Sequence, residues 1–193
     1  MPDEVTGIED FDELLAALQA GEEWAAATLF GWLQPPLLRY LRWQEPAAAD
    51  DLAGETWVAV AEGIRDFQGD APALRGWVFA IARRRLADHR RRSARRRTDP
   101  VPSASLAEMA TSEDLAGTVA GELSAQEAIA QLTAALNPEQ AEIIVLRVVG
   151  GLSVEEVARL LGKRPGSVRV AQHRALRRLA RHPGMRAALA REV

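Results

Sequence analysis

Ten arginines fall between residues 75 and 97, in the stretch RGWVFAIARRRLADHRRRSARRR, and nine of them lie within 83–97 with Asp88 the single acid among them. Guanidinium groups at this density bind polyanions, because each is a permanent cation with forked donors that fit phosphate oxygens and each contact releases counterions. A second basic block covers 147–193, with eleven Lys or Arg against three Glu. Within it Arg164, Ser167, Arg169, Gln172, His173, Arg174, Arg177 and Arg178 recur on the outward side of one helical stretch. Nearly all are side chains competent to contact phosphates or base edges.

The formal net charge of −3 hides this segregation: residues 1–23 and 98–146 each carry eight acids and no Lys or Arg. Attraction to a polyanion follows the local positive face rather than the whole-chain sum. For either block alone the alternative is a solvated helix face.

Other chemistries find no residues. Cysteine is absent and the three histidines, His89, His173 and His182, lack ligand spacing, so neither a thiolate site nor zinc is expected. No nucleophile–base set, metal cluster or phosphate-cradling glycine loop is present, which argues against an enzyme, and no metal or cofactor is implied. The N-terminal MPDEVTGIEDFDELL is acidic where a signal peptide is basic. No run approaches the roughly eighteen apolar residues of a membrane span. The expectation is a cytoplasmic protein with no direct membrane insertion.

Helices must position both basic blocks. Ile8, Phe11, Leu14, Leu15 and Leu18 share a helical face over 8–20, ended by Gly21. A second helical stretch, from Glu22 to Trp43, offers Trp24, Leu29, Trp32 and Leu33 as core and is expected to break or kink at Pro35 and Pro36. A third, from Ala47 to Ile64, turns Leu52, Val60 and Ile64 to one side. Gly69, Asp70 and Pro72 mark a loop before a helix that begins near Ala73 and continues into the arginine run. No strand-like alternation interrupts these first 97 residues.

Residues 98–123 mix Pro, Ser, Thr, Gly and acids without apolar period, as a flexible acidic linker does. Beyond it Ser124 with Glu127, Asn137 with Pro138 and Gln140, and Ser153 with Glu156 resemble capping boxes, placing helix starts near 125, 138 and 154. In LSVEEVARLLGKRPGSVRVAQHRALRRL, residues 152–179, Val154, Val157, Ala158 and Leu161 form one face and Gly162 permits a tight turn. Pro165 or Gly166 then opens a helix with Val168, Ala171, Leu176 and Leu179 inward. Two short helices about a glycine turn, cationic on the second, make a helix-turn-helix; a basic helical hairpin in a three-helix bundle is the alternative. The fold class is all-α: helical domains at 8–97 and 124–182, the linker 98–123 between them, and a tail at 183–193.

With both halves in view the chain resembles a bacterial RNA polymerase sigma factor of the extracytoplasmic-function (ECF) class, sigma-70 family, over roughly 10–97 and 124–182. The carrying stretches are ADDLAGETWVAV, WVFAIARRRLADHRR and GSVRVAQHRALRRL. Gly54 stands where the family usually has Gln, and Arg84 where it usually has Asn. The resemblance implies docking of Asp50, Asp51, Leu52, Glu55 and Trp57 on a coiled coil of the largest subunit of core RNA polymerase, with the C-terminal domain at the flap region. For Asp50 and Asp51 a solvated first turn favoured by the helix dipole stays open, and for Trp57 and Trp77 so does core packing.

It further implies that the loop Phe67–Ala73, with Phe67, Gln68 and Asp70, accepts an unstacked base of the promoter's downstream (−10) element, while Arg83, Arg84, Arg90 and Arg91 hold its backbone. Asp88 is expected to pair with Arg84 or Arg92 instead. Arg164, Ser167, Arg169, His173, Arg174 and Arg177 are expected at the upstream (−35) duplex, with His173 open between reader and spacer. The acidic linker fits the polymerase's RNA-exit path or is a plain tether. An anti-sigma factor wedged between the domains is the further partner implied.

Two other readings compete. A conventional helix-turn-helix regulator would bind duplex DNA alone as a dimer, without use for the arginine-rich helix. A nonspecific polyanion binder would show steep salt dependence and little sequence discrimination.

Overall fold

The computed structural model describes residues 11–98, 127, 129–131 and 133–181, and every regular element among them is helical. Ile8, the capping residue Ser124, residues 99–123 of the expected linker 98–123 and the tail 183–193 lie outside the described residues, while Thr98 is the last residue of a helix. Helix α1 (Phe11–Ala20) buries Leu14 and Leu18, one turn apart, and ends at Gly21, whose φ of 82° a side chain would disfavour. Helix α2 (Glu23–Gln44) follows immediately.

The expected break at Pro35 and Pro36 does not occur: α2 is continuous through both prolines. Prolines remove the partners of the carbonyls four residues back. Here Leu29 and Leu33 before them, and Leu37, Tyr40 and Leu41 after them, are all buried, so the core holds both halves of the helix in place without those bonds. Trp24 is a second correction. The buried stripe passes through Ala25, Leu29 and Leu33, which leaves Trp24 50% exposed.

A short 3₁₀ turn, Pro46–Ala48, leads into α3 (Ala49–Gly63), which packs on both α2 and α4 and buries Leu52, Ala53, Thr56 and Val60. Helix α4 (Ala71–Thr98) starts two residues earlier than its apolar pattern indicates because Asp70 caps it, Oδ1 accepting the Ala73 N–H at 2.8 Å. Leu74, Val78, Phe79, Ala82 and Leu86 form its inner face.

In the C-terminal unit α5 (Pro138–Val148) is capped by Asn137, whose Oδ1 accepts the Gln140 N–H at 2.8 Å. Helix α6 (Val154–Leu161) opens on a complete capping box: Ser153 accepts from Glu156 N, and Glu156 accepts from Ser153 N. It closes on Gly162 at φ 64°, a left-handed turn that reverses the chain into α7 (Pro165–Arg181). Val168, Ala175 and Leu179 form the inner stripe of α7; Leu176, expected inside, lies off that stripe and is 47% exposed.

The two units share one hydrophobic cluster. Phe79 of α4 and Leu146, Leu152 and Val157 of the C-terminal unit are fully buried members of it. Helices α4 and α6 pack directly on one another.

Candidate nucleic-acid interface

The cationic face of the helix-turn-helix is set by the inner stripe of α7. With Val168 and Ala175 pinned inward, Arg164, Ser167, Arg169, His173, Arg174 and Arg177 are all exposed. Ser167 and Val168 donate backbone N–H groups to the Arg164 carbonyl, which forms the first turn. The guanidinium of Arg169 is paired with Glu155 of α6, 2.6 Å away; both side chains are more than half exposed, so the pair is weak and a stronger anion can displace it. Val170, 50% exposed on the same helix, escaped the reading by charge. An exposed aliphatic side chain among donors is what contacts a thymine methyl in the major groove.

The arginine run divides. Arg90 Nη2 donates to the Gln44 carbonyl at 2.8 Å and to Gln44 Oε1 at 2.9 Å, fastening α4 to the end of α2. Arg92 lies 3.4 Å from Glu55, and Arg83 3.0 Å from Glu142 of α5. Burial works against the charge of Arg83, but the hydrogen bond and charge of Glu142 outweigh it and raise its pKa. Asp88 pairs with Arg91 at 2.8 Å rather than with Arg84 or Arg92: the i+3 neighbour is the one its short side chain reaches. Arg84 is exposed and makes no ion pair among the described residues. It lines a surface groove with Arg83, Arg91 and, from α6, Arg159.

The loop before α4 is built tightly. Gly69, at φ 151°, lies where a Cβ would come 2.9 Å from the Ala73 Cβ and 3.1 Å from Phe67 Cζ. Gln19 of α1 donates from Nε2 to the Phe67 carbonyl at 2.9 Å. Phe67, expected to receive a base, is instead buried against Trp77 at 5.3 Å between ring centroids, because the loop folds its ring under the start of α4. The Asp70 carboxylate is committed to capping α4. Gln68 is exposed.

On α3 the expected docking group also separates. Leu52 is 1% exposed, a member of the hydrophobic core rather than of the α3 surface. Asp50 is exposed 3.4 Å from Arg42, and Asp51 is exposed beside it. Trp57 is half-buried, its Nε1 donating to Gln34 at 2.6 Å and its ring 5.1 Å from that of Phe30. The outward stripe is Asp51, Gly54, the half-buried Glu55 and Val58, at i, i+3, i+4 and i+7; Val58 is 59% exposed. Val58 follows from that spacing once the inward face is known.

An all-helical chain joining an exposed cationic helix-turn-helix to an arginine-rich helix is, by fold and surface, a DNA-binding transcription protein. Residues 29–96 match the Sigma-70 region 2 family and residues 126–179 the Sigma-70, region 4 family. The chain is 33% identical over 171 residues to the ECF RNA polymerase sigma factor BldN of Streptomyces coelicolor, covering 88% of this chain and 64% of BldN's length. It is 32% identical over 177 residues to the ECF RNA polymerase sigma factor SigD of Mycobacterium tuberculosis, covering 89% of this chain and 82% of SigD. The solved structure of CnrH in complex with the cytosolic domain of CnrY shares the fold, with a TM-score of 0.60, 24% identity, and coverage of 89% of this chain and 96% of that one. The chain belongs to the ECF RNA polymerase sigma factors of the sigma-70 family.

No helix among the described residues is long and apolar enough to cross a membrane.

Proposed function

We propose that this chain binds core RNA polymerase and directs it to the promoters of a specific regulon, as a specificity subunit rather than a catalyst, working without metal or cofactor beside the polymerase in the cytoplasm. The observation that carries the reading is the exposed row Arg164, Ser167, Arg169, His173, Arg174 and Arg177 on a helix-turn-helix, in the same chain as the arginine-rich α4. α7 would read the upstream element from the major groove, with Arg169, His173 and Arg174 toward bases and Arg164 and Ser167 toward phosphates.

Arg84, Arg91, Gln68 and, once freed, Arg83 would hold the opened strand of the downstream element. Arg90 serves that surface indirectly, by fixing α4. Asp51, Glu55 and Val58 would dock on the coiled coil of the largest polymerase subunit, an apolar contact framed by charge that sets register, while the C-terminal unit would meet the flap region. An anti-sigma factor is the fitting regulator, and the CnrH structure, with a cytosolic domain of a second protein bound, supports such a partner.

The test is co-purification with bacterial core polymerase followed by transcription from promoter fragments. Start sites that core alone cannot use are the expected result. Failure to join core, with dimeric binding to duplex DNA instead, would establish the conventional regulator.

A further inference from the structure

Helix α7 presents one exposed side chain whose chemistry differs from that of its neighbours. Val168 and Ala175 are fully buried and fix the inward side of the helix. At about 100° per residue, Val170 stands roughly 200° round from Val168 and faces away from the core. It is 50% exposed, with Ser167 three residues before it, His173 three after it and Arg174 four after it, all exposed. Ser167, Val170 and Arg174 line one surface groove together with Asn137 and Gln140 at the start of α5.

Lone exposed aliphatic side chains are common on globular proteins and need no purpose. Leu176 is such a residue: it is 47% exposed but lies on a flank of α7, about 120° round from Val170. Val170 differs in its place. It sits within the stripe Ser167, Val170, Arg174 and Arg177, at i, i+3, i+7 and i+10, where every other member is a hydrogen-bond donor. It gains nothing from the core, and its branched side chain is a weaker helix former than alanine.

What an aliphatic group can recognise in the major groove is narrow. Thymine alone carries a methyl group there, while cytosine presents an amino donor and the purines present acceptors with or without a donor. Valine neither accepts nor donates. Pressing it onto those other edges strips water from a polar group and returns no bond.

We infer that Val170 selects a thymine in the upstream element by packing on its 5-methyl group. The cations around it hold the duplex, and Val170 discriminates thymine from cytosine at one position. The inference rests on the reading of α7 as the helix that enters the major groove, and narrows its ligand from duplex DNA to one group on one base.

Duplexes selected by the full chain from a random-sequence pool, with core polymerase and without it, are the probes. Each thymine of the selected sequence is replaced singly by deoxyuridine, which pairs in the same way and lacks only the methyl. One position should lose about fourfold in affinity, as expected for one buried methyl. Cytosine at that position should cost roughly tenfold or more. Val170→Ala touches no buried residue and favours the helix, and it should bind the thymine and uracil duplexes equally. Val170→Ile should keep the preference for thymine.

Uracil replacements that are all neutral, or a thymine preference that survives in Val170→Ala, overturn the inference, as does a pool from which no sequence emerges. A chain that shows the methyl dependence yet never joins core overturns the sigma-factor reading and leaves Val170 as the thymine reader of a conventional regulator. Transcription by the assembled polymerase without methyl dependence does the reverse.

Discussion

The guanidinium of Arg90 donates to the backbone carbonyl of Gln44 at 2.8 Å, so the arginine-rich helix caps the end of α2. That bond changes the meaning of the arginine run. Late carbonyls of a helix have no partner within it, and a cation is favoured there by the helix dipole as well. Part of the positive charge is thus structural, while Arg84, earlier on the same helix and exposed, is available to a ligand.

Arg90→Ala should lower stability by about 1 kcal/mol, a fall of several degrees in melting temperature. Arg84→Ala should leave the melting temperature unchanged and weaken binding of the single-stranded downstream element with a reduced salt slope. Thermal unfolding and strand binding at several salt concentrations separate the two. Equal stability loss in both variants would show the division to be wrong.

Arg169→Ala with Arg174→Ala should cut transcription from the cognate promoter at least tenfold, since a good base contact contributes about 1–3 kcal/mol, and leave polymerase binding intact. Glu155→Gln should do the reverse in a small degree. It releases Arg169 from its 2.6 Å pair and should tighten duplex binding by no more than a few fold, as expected for an exposed ion pair. Unchanged promoter use in the double variant would remove α7 from the interface.

Asp51→Lys with Val58→Asp alters the exposed stripe of α3 and touches none of its buried residues. Retention by immobilised core polymerase should fall by an order of magnitude or more while the melting temperature is unaffected. Gly54→Ala, on the same stripe with nothing within 4 Å of its Cβ position, should stabilise the chain by about 0.5–1 kcal/mol. Full retention of the charge-changed variant would place docking elsewhere.

What the sequence disclosed depended on range. Ser153 with Glu156, Asn137 with Gln140 and Gly162 were legible because capping and turn chemistry act over three or four residues, and their bonds form as read. Leu52 and Phe67 are buried where the motif suggested surface, because a motif gives residue order and not which side faces the core; α3 turns Leu52 into the core, and the Gly69 turn folds Phe67 against Trp77. Pro35 and Pro36 gave a true local signal, but burial on both flanks overrode it. The bond between Tyr40 and Glu142 joins residues 102 apart and has no signature in either segment.

Tyr40 makes that distant contact measurable, since it is the only tyrosine in the chain. Burial, reinforced by the negative charge of Glu142, pushes its phenol above the ordinary tyrosine range. A group whose pKa is raised on folding contributes stability that is complete below the unfolded value, declines once pH passes it, and is gone as pH climbs through the folded value. At neutral pH the contribution is therefore whole. Tyrosinate absorbance should rise only in strongly alkaline solution for the unsubstituted chain. In Glu142→Gln the charge is gone, so the transition should move down toward the free-tyrosine value. A single transition at the ordinary value in the unsubstituted protein would mean that Tyr40 faces water and that the two units are apart.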